Sequence, residues 1–302
     1  MKKILSLFVL LVVLCAMQGV QARIYVPDDK TTAADTDSLV NVIGWFGKTD
    51  TLEYMLISRV AEVNGTDTTL TEFTTDKFTI RVTDESKHGY EMEYVLDDVT
   101  IDDSTSLQAQ MRLELARMGI GTKVVFTTNE MGVLGRIKNS KQIYNNSLRL
   151  QKEYAARLYE RNPLLVGKIS RQDLLKKWKE QLDEIFSSDE KLMKNYVGLG
   201  VLFANHGKAF PLNVTQTEKD GAKITLLATK GKLEGEEDSS EDEFQVYYNI
   251  VQTTDSGTTI YDYDYSYFDD GWVREALVTI KEGDDNKQTI TQLELTWLSK
   301  AW

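Results

Sequence analysis

Apolar and polar residues alternate along the first third of the chain, which is the pattern of half-buried β-strands. The alternation runs through residues 52–57, 78–82 and 91–96, and Gly65 and Gly89 mark breaks between the runs. Residues 123–137 predict a hairpin, because two short apolar runs flank a turn at 129–132 that ends in Gly132, a residue free to adopt positive φ. The first part of the chain is therefore expected to be rich in β-strands.

The pattern changes to a helical period in the middle of the chain. One face of a predicted helix, ending near Pro163, carries residues spaced by three and four: Ile143, Ser147, Leu150, Tyr154 and Leu158. A capping box of Ser170 and Asp173 predicts the start of a second helix, whose apolar stripe is Leu174, Trp178, Leu182 and Ile185. A third helix is predicted from Ser187 or Ser188 to about Asn205, and a short one at 107–118.

Strands return after Phe210 and continue to the end. The least ordinary of them places Tyr261, Tyr263, Tyr265 and Tyr267 on one face and Asp262, Asp264 and Ser266 on the other. Two further alternating runs, 276–280 and 293–297, predict a last hairpin that turns at 283–286. Strands on both sides of a helical middle predict an α+β fold, with an antiparallel, curved or sandwich-like β-sheet and a central helical segment.

The predicted organisation is a signal peptide over 1–22, a β-rich segment over 23–137, a helical segment over 138–208 and a second β-rich segment over 209–302; the last three can belong to one domain. Lys2 and Lys3 precede an apolar run over 4–14, which is too short to span a bilayer, and a cleavage site follows at Ala22. The expected location is the periplasm or the extracellular space. The alternative is a lipoprotein anchored through Cys15, although Leu14 stands where a small residue is expected.

Charge and cysteine content narrow the classes of partner. The net charge is −12, and loss of Lys2 and Lys3 takes it to −14; without a basic cluster, nucleic acid is a poor partner and is not predicted. The only cysteine lies in the predicted leader, so no disulfide is expected in the mature chain. No membrane span is predicted after the leader, and the sequence leaves open whether the chain has a protein partner.

Two short motifs carry a resemblance to known proteins. Residues 126–132 (FTTNEMG) running into 136–139 (RIKN), and Asp270-Gly271-Trp272 in the late strands, resemble secreted bacterial proteins with two β-rich stretches around a helical middle. The resemblance implies no activity, because such proteins have none assigned. The layout also resembles the lipoprotein-carrier type, a curved sheet closed by helices, without a motif that ties this chain to it.

No catalytic residue, metal site or cofactor is predicted. The chain lacks a Gly-x-Ser-x-Gly elbow, and its two histidines, His88 in a turn and His206 at the end of a helix, do not form a zinc-binding pattern. Pairs of aspartates offer oxygen ligands for calcium, but none fits an EF-hand loop. A histidine at the C-terminus of a helix can simply complement the helix dipole.

The function favoured by the sequence is that of a non-enzymatic exported protein that binds an apolar or aromatic ligand. The candidate ligand-binding residues are Tyr261, Tyr263, Tyr265, Tyr267 and Trp272, although tyrosines also pack well inside sheets. One alternative is a glycan hydrolase that uses paired carboxylates, with Asp264 and Asp270 near Tyr263 and Trp272. The other is a protein-interaction module that uses a sheet edge or an apolar patch.

Overall fold

The computed structural model describes residues 39–101, 107–161, 170–219, 221–230, 243–254, 257–284 and 287–301. The predicted signal peptide, its cleavage site at Ala22 and the candidate lipidation site Cys15 lie outside these residues.

Strands dominate the described part of the chain. Their bounds are β1 (Leu39–Asn41), β2 (Thr51–Asn64), β3 (Asp67–Ser86), β4 (Gly89–Ile101), β5 (Lys123–Thr128), β6 (Leu134–Ile137), β7 (Ala209–Pro211), β8 (Thr215–Lys219), β9 (Ala222–Lys230), β10 (Phe244–Thr254), β11 (Gly257–Tyr267), β12 (Val273–Gly283) and β13 (Lys287–Ala301). The helices are α1 (Leu107–Met118), α2 (Ser140–Arg161), α3 (Arg171–Ile185), α4 (Asp189–Lys194) and α5 (Val197–Leu202).

Eleven of the strands form one antiparallel sheet in the order β6-β5-β4-β3-β2-β13-β12-β11-β10-β9-β8, and β1 pairs with β7 in a separate two-stranded sheet. The strands from the first and last parts of the chain meet at β2 and β13, which are paired from Lys287 opposite Asn64 to Ala301 opposite Thr51. The two β-rich stretches therefore contribute to a single sheet.

The predicted α+β class is wrong, because the structure is mostly β, with a large sheet and five small helices among the described residues. The predicted central helical segment does not form a layer equal to the sheet. Its third helix is split: α4 ends at Lys194, Asn195 and Tyr196 intervene, and α5 ends at Leu202. Strands account for 55% of the structure and helices for 24%.

Two local predictions are confirmed. Ser170 is the N-cap of α3, where its hydroxyl accepts a hydrogen bond from the Asp173 amide, as expected for a capping residue. The turn of the β5–β6 hairpin contains Gly132 at φ 86°, and the Asn129 side chain accepts hydrogen bonds from the amides of Met131 and Val133.

The sheet has two unlike faces, because side chains alternate along each strand. The inner face supplies most of the large core, together with the chain around β1 and α5. A second, smaller cluster packs α2 against α3 and consists of Tyr154, Ala155, Leu158, Leu174 and Trp178. The outer face carries mainly polar side chains, and on it lies the candidate site.

Candidate functional site

The four predicted tyrosines belong to the inner face and are buried, with exposures of 9% or less. Tyr263 stacks on Tyr248 of the neighbouring strand with ring centroids 4.1 Å apart, and Tyr265 stacks on Tyr267 at 5.9 Å. The Tyr267 hydroxyl accepts a hydrogen bond from Asn205. The rings thus pack against one another and against the core, and binding of an apolar or aromatic ligand to them stays a prediction that requires entry into the interior.

Trp272 is also in the core, where it makes a polar contact. Its indole N–H donates a hydrogen bond of 3.1 Å to the carboxylate of Asp50. Lys300 lies 3.3 Å from that carboxylate and 2.7 Å from the carboxylate of Asp270. Gly271 precedes the tryptophan at φ 82°, and a Cβ there would overlap the Ile43 carbonyl oxygen. The motif at 270–272 therefore fixes a tight turn and a buried ion pair.

His206 is fully enclosed among aromatic rings. Its centroid lies 5.2 Å from that of Phe203 and 5.6 Å from that of Phe46, and its Nε2 lies 3.0 Å from the carbonyl oxygen of Gly271. Burial lowers the pKa of the imidazole from 6.5 to about 4. The ring is therefore neutral at physiological pH and packs in the core. His88 is exposed in the turn between β3 and β4.

A concavity of about 330 Å³ lies on the outer face, directly opposite the tyrosines. Strands β10 to β13 form it. We call it the acidic depression; it is lined by Gln245, Asp264, Ser266, Glu275, Ala276, Leu277, Glu294, Leu295 and Thr296. Its volume is at the lower end of the range for ligand sites, about 300 to 1,000 Å³. It fits a small ligand or a single side chain.

Strand register sets the spacing of the carboxylates in the acidic depression. Asp264 pairs with Leu277, and Leu277 pairs with Glu294, so the two acids flank a leucine. Glu275, two residues before Leu277, is diagonal to both, and diagonal neighbours in a sheet lie about 7 to 8 Å apart. The three carboxylates therefore form a triangle over three neighbouring strands.

The charges in this triangle are only partly neutralised. Arg59 on β2 binds Glu294 with an N–O distance of 2.8 Å. Among the described residues, no ion pair involves Asp264 or Glu275. Desolvation by burial raises the pKa of the Asp264 carboxyl above its ordinary value of 3.8. The unpaired acids give the acidic depression a negative potential.

Ser266 lies on the floor of the acidic depression, is only 6% exposed, and its hydroxyl makes no hydrogen bond within the described part of the chain. It pairs with Gln245 on one side and with Glu275 on the other. A buried hydroxyl without a partner costs about 1 to 3 kcal/mol, so such groups are uncommon in folded proteins. The lining of the acidic depression therefore includes a buried polar group that has no partner among the described residues.

Sequence reasoning placed the candidate ligand-binding residues on the face of β11 opposite the acidic depression, and ligand binding to that face stays a prediction. The alternation that defined the tyrosine row also placed Asp264 and Ser266 together on the other face, and that was the available signal. Glu275 and Glu294 were not predicted, because their proximity depends on the register of β12 and β13. The described residues contain no group of three or more acids, histidines or cysteines arranged to hold a metal ion.

Within the described residues, no helix has both the length and the apolar character needed to cross a bilayer.

No protein-family model matches the sequence, and no curated protein is significantly similar to it. Among solved structures, a protein described as exported, with a YmcC-like fold, from Bacteroides fragilis is 9% identical, with 86% of this chain and 100% of that chain covered and a TM-score of 0.25. DynF, from the dynemicin biosynthesis pathway of Micromonospora chersina, is 7% identical, with 85% and 84% covered and a TM-score of 0.20. An outer membrane lipoprotein-sorting protein domain from Vibrio parahaemolyticus is 8% identical, with 85% and 86% covered and a TM-score of 0.15. TM-scores at this level do not establish a common fold.

Proposed function

We propose that the chain is an exported, non-enzymatic binding protein that holds its ligand in the acidic depression on the outer face of the sheet. The observation that carries the proposal is a concavity of about 330 Å³, on whose floor lies the buried Ser266 hydroxyl, without a partner among the described residues. Convergent polar groups in a concave surface are the usual mark of a ligand site. Export rests on the basic residues and apolar run at the start of the sequence.

The framework of the site is suited to binding. The backbone at the floor belongs to four paired strands, β10 to β13, whose register shifts once, between Ser266 and Tyr267. The polar groups are therefore held on paired strands. The aromatic core on the reverse side fixes the same strands from behind. A ligand would therefore meet a preformed surface, which reduces the entropy lost on binding.

Native mass spectrometry of the protein purified from its own exported pool tests this function. We expect a bound small molecule or peptide, and we expect the variant Leu277→Trp to lose it, because the larger ring fills the acidic depression without removing a charge. Leu70→Trp is the matched control, since Leu70 is an exposed leucine on β3, outside the acidic depression. Ligand-free protein, or a ligand retained by Leu277→Trp, would overturn the proposal.

A glycan hydrolase is the second candidate, because the acidic depression brings Asp264 and Glu275 onto one open surface. The raised pKa of Asp264 suits a general acid, and the second carboxylate would attack the sugar or activate water. Tyr247, which pairs with Asp264, is exposed enough to contact a sugar ring. Glycan hydrolysis that Asp264→Asn abolishes and Asp262→Asn spares would favour this candidate over binding alone.

A further inference from the structure

The unpaired charges of the acidic depression indicate the chemistry of its ligand. Asp264 and Glu275 lie diagonally across β11 and β12 and have no cation among the described residues, whereas Glu294 is bound by Arg59. Two neighbouring carboxylates without a counter-charge favour a positively charged ligand. Glu294, whose charge is neutralised by Arg59, lies at one border of this negative surface.

The geometry suits an organic cation. The acidic residues are spread over neighbouring strands, where the backbone positions of diagonal neighbours lie about 7 Å or more apart. The described residues contain no group of three or more acids, histidines or cysteines that could hold a metal ion. A nitrogen with several N–H groups can donate to separate acceptors across such a span. The Ser266 hydroxyl between the strands adds a neutral acceptor on the floor.

The borders of the acidic depression suit an alkyl chain next to that nitrogen. Leu277, between Asp264 and Glu294, is 43% exposed, and Tyr247 stands beside Asp264 and is 38% exposed. Lysine and arginine carry their charge on an apolar stem that packs against such side chains.

We propose that the acidic depression binds an alkyl ammonium or guanidinium group, supplied by a lysine or arginine side chain of a peptide or by a free polyamine. Asp264 and Glu275 bind the charge, the Ser266 hydroxyl accepts an N–H, and Leu277 contacts the alkyl stem. The inference rests on the proposed function, since it names the ligand class of the same site.

Two probes distinguish the two sources of the cation: cadaverine for a free amine and Nα-acetyl-lysine N-methylamide for a peptide side chain. Binding is followed by two-dimensional NMR of the full exported chain at about 0.15 M salt, where diffuse attraction to the acidic surface is screened. We expect saturable shifts at amides of β11 and β12. The tighter probe identifies the source, and either result supports the inference. The neutral control is the same lysine derivative acetylated on Nε, which lacks the charge.

Matched variants assign the binding to the site. Asp264→Asn and Glu275→Gln should each weaken the better probe about tenfold, and Ser266→Ala about threefold. None of the three should lower the thermal midpoint, and Ser266→Ala should raise it, because it removes a buried hydroxyl without a partner among the described residues. The control variant is Asp262→Asn, which removes one negative charge from the same strand and face as Asp264→Asn. Asp262 accepts a hydrogen bond from the Asn249 side chain and lies outside the acidic depression. That control should leave the affinity unchanged.

Three outcomes are decisive against the inference. Equal weakening by Asp262→Asn would show nonspecific attraction to an acidic surface. A neutral or anionic ligand that shifts the NMR signals of amides in β11 and β12, while neither cationic probe does so, would support the proposed binding function and rule out a cationic ligand. If neither probe binds and native mass spectrometry shows ligand-free protein, both the proposed binding function and the cationic ligand class are ruled out.

Discussion

At the scale of single residues, the buried contacts of Trp272 explain why an aromatic residue in a short motif is part of the core. The indole N–H donates to Asp50, whose side chain is 8% exposed and also accepts a hydrogen bond from the Gly47 amide. Lys300 is shared by Asp50 and Asp270. Breaking a buried ion pair leaves uncompensated polar groups, so this network is expected to be sensitive to loss of one partner.

Asp50→Ala should lower the free energy of unfolding by about 3 kcal/mol, because it leaves the indole N–H and one side of Lys300 without an acceptor. Denaturation in guanidinium chloride measures the change. Lys48→Ala is the control: Lys48 pairs with Asp84 at 3.0 Å with both side chains more than half exposed, and its loss should cost less than about 1 kcal/mol. Similar losses in the two variants would show that burial adds nothing to the Asp50 pair.

The same residue scale shows how far the site could be predicted. Alternation on β11 correctly separated the tyrosines from Asp264 and Ser266, since period two is a local property of a strand. It did not show which face was covered, because that depends on contacts such as Asn205 with Tyr267, 62 residues apart. Glu275 and Glu294 could not be joined to Asp264 without the register of two further strands.

At the scale of elements, α2 and α3 form a small core of their own beside the sheet. Trp178 is 2% exposed and stacks on Tyr154 of α2 with ring centroids 6.0 Å apart. The helical spacing in the sequence predicted both stripes, because amphipathic periodicity is again local. It overestimated the third helix: Asn195 and Tyr196 interrupt the segment, and α5 is held through tertiary packing of Leu199 and Leu202.

Trp178→Ala should destabilise this pair of helices by about 3 to 5 kcal/mol, since it leaves a large cavity in a cluster of few residues. Hydrogen exchange with mass spectrometry should show faster exchange across α2 and α3 and little change in β10 to β13, because the cluster is separate from the large core. Trp45→Ala is the matched control: Trp45 is 68% exposed, and exchange in the helices should stay as in the unchanged protein. Equally faster exchange throughout the sheet would contradict a separate cluster.

At the scale of the whole molecule, the sheet joins the beginning and the end of the described chain. The pairing of β2 with β13 requires contacts between residues 51–64 and 287–301, so the central strands cannot form before most of the chain is present. Sequence patterns give the strands but not their order, since pairing between distant segments has no local signal. This is why the alternating runs were found and the class was still assigned as α+β.

Two titratable groups, the half-buried Asp76 of β3 and the buried His206, influence the stability of the whole molecule in opposite directions. Burial raises the pKa of Asp76, which lies between Leu56 and Val99 in the sheet, from 3.8 to about 6. Burial lowers the pKa of His206 to about 4. Between these values the folded protein holds a proton on Asp76 that the unfolded chain releases, and it lacks a proton on His206 that the unfolded chain binds.

The signs follow from linkage. The Asp76 contribution to the free energy of unfolding is largest below pH 3.8 and falls by about 3 kcal/mol as the pH rises to about 6. The His206 contribution is largest above pH 6.5 and falls by about 3 kcal/mol as the pH drops to about 4. The two slopes nearly cancel in the unchanged protein.

Single variants should separate the Asp76 and His206 contributions to the free energy of unfolding. Relative to the unchanged protein, Asp76→Asn should gain stability as the pH rises from 4 to 6.5, and His206→Gln should lose it over the same interval. Guanidinium denaturation at half-unit steps of pH measures both difference curves. Difference curves that slope in the same direction for Asp76→Asn and His206→Gln would contradict these assignments. Opposite slopes are expected because, between pH 4 and 6, the folded protein holds a proton on Asp76 and lacks one on His206.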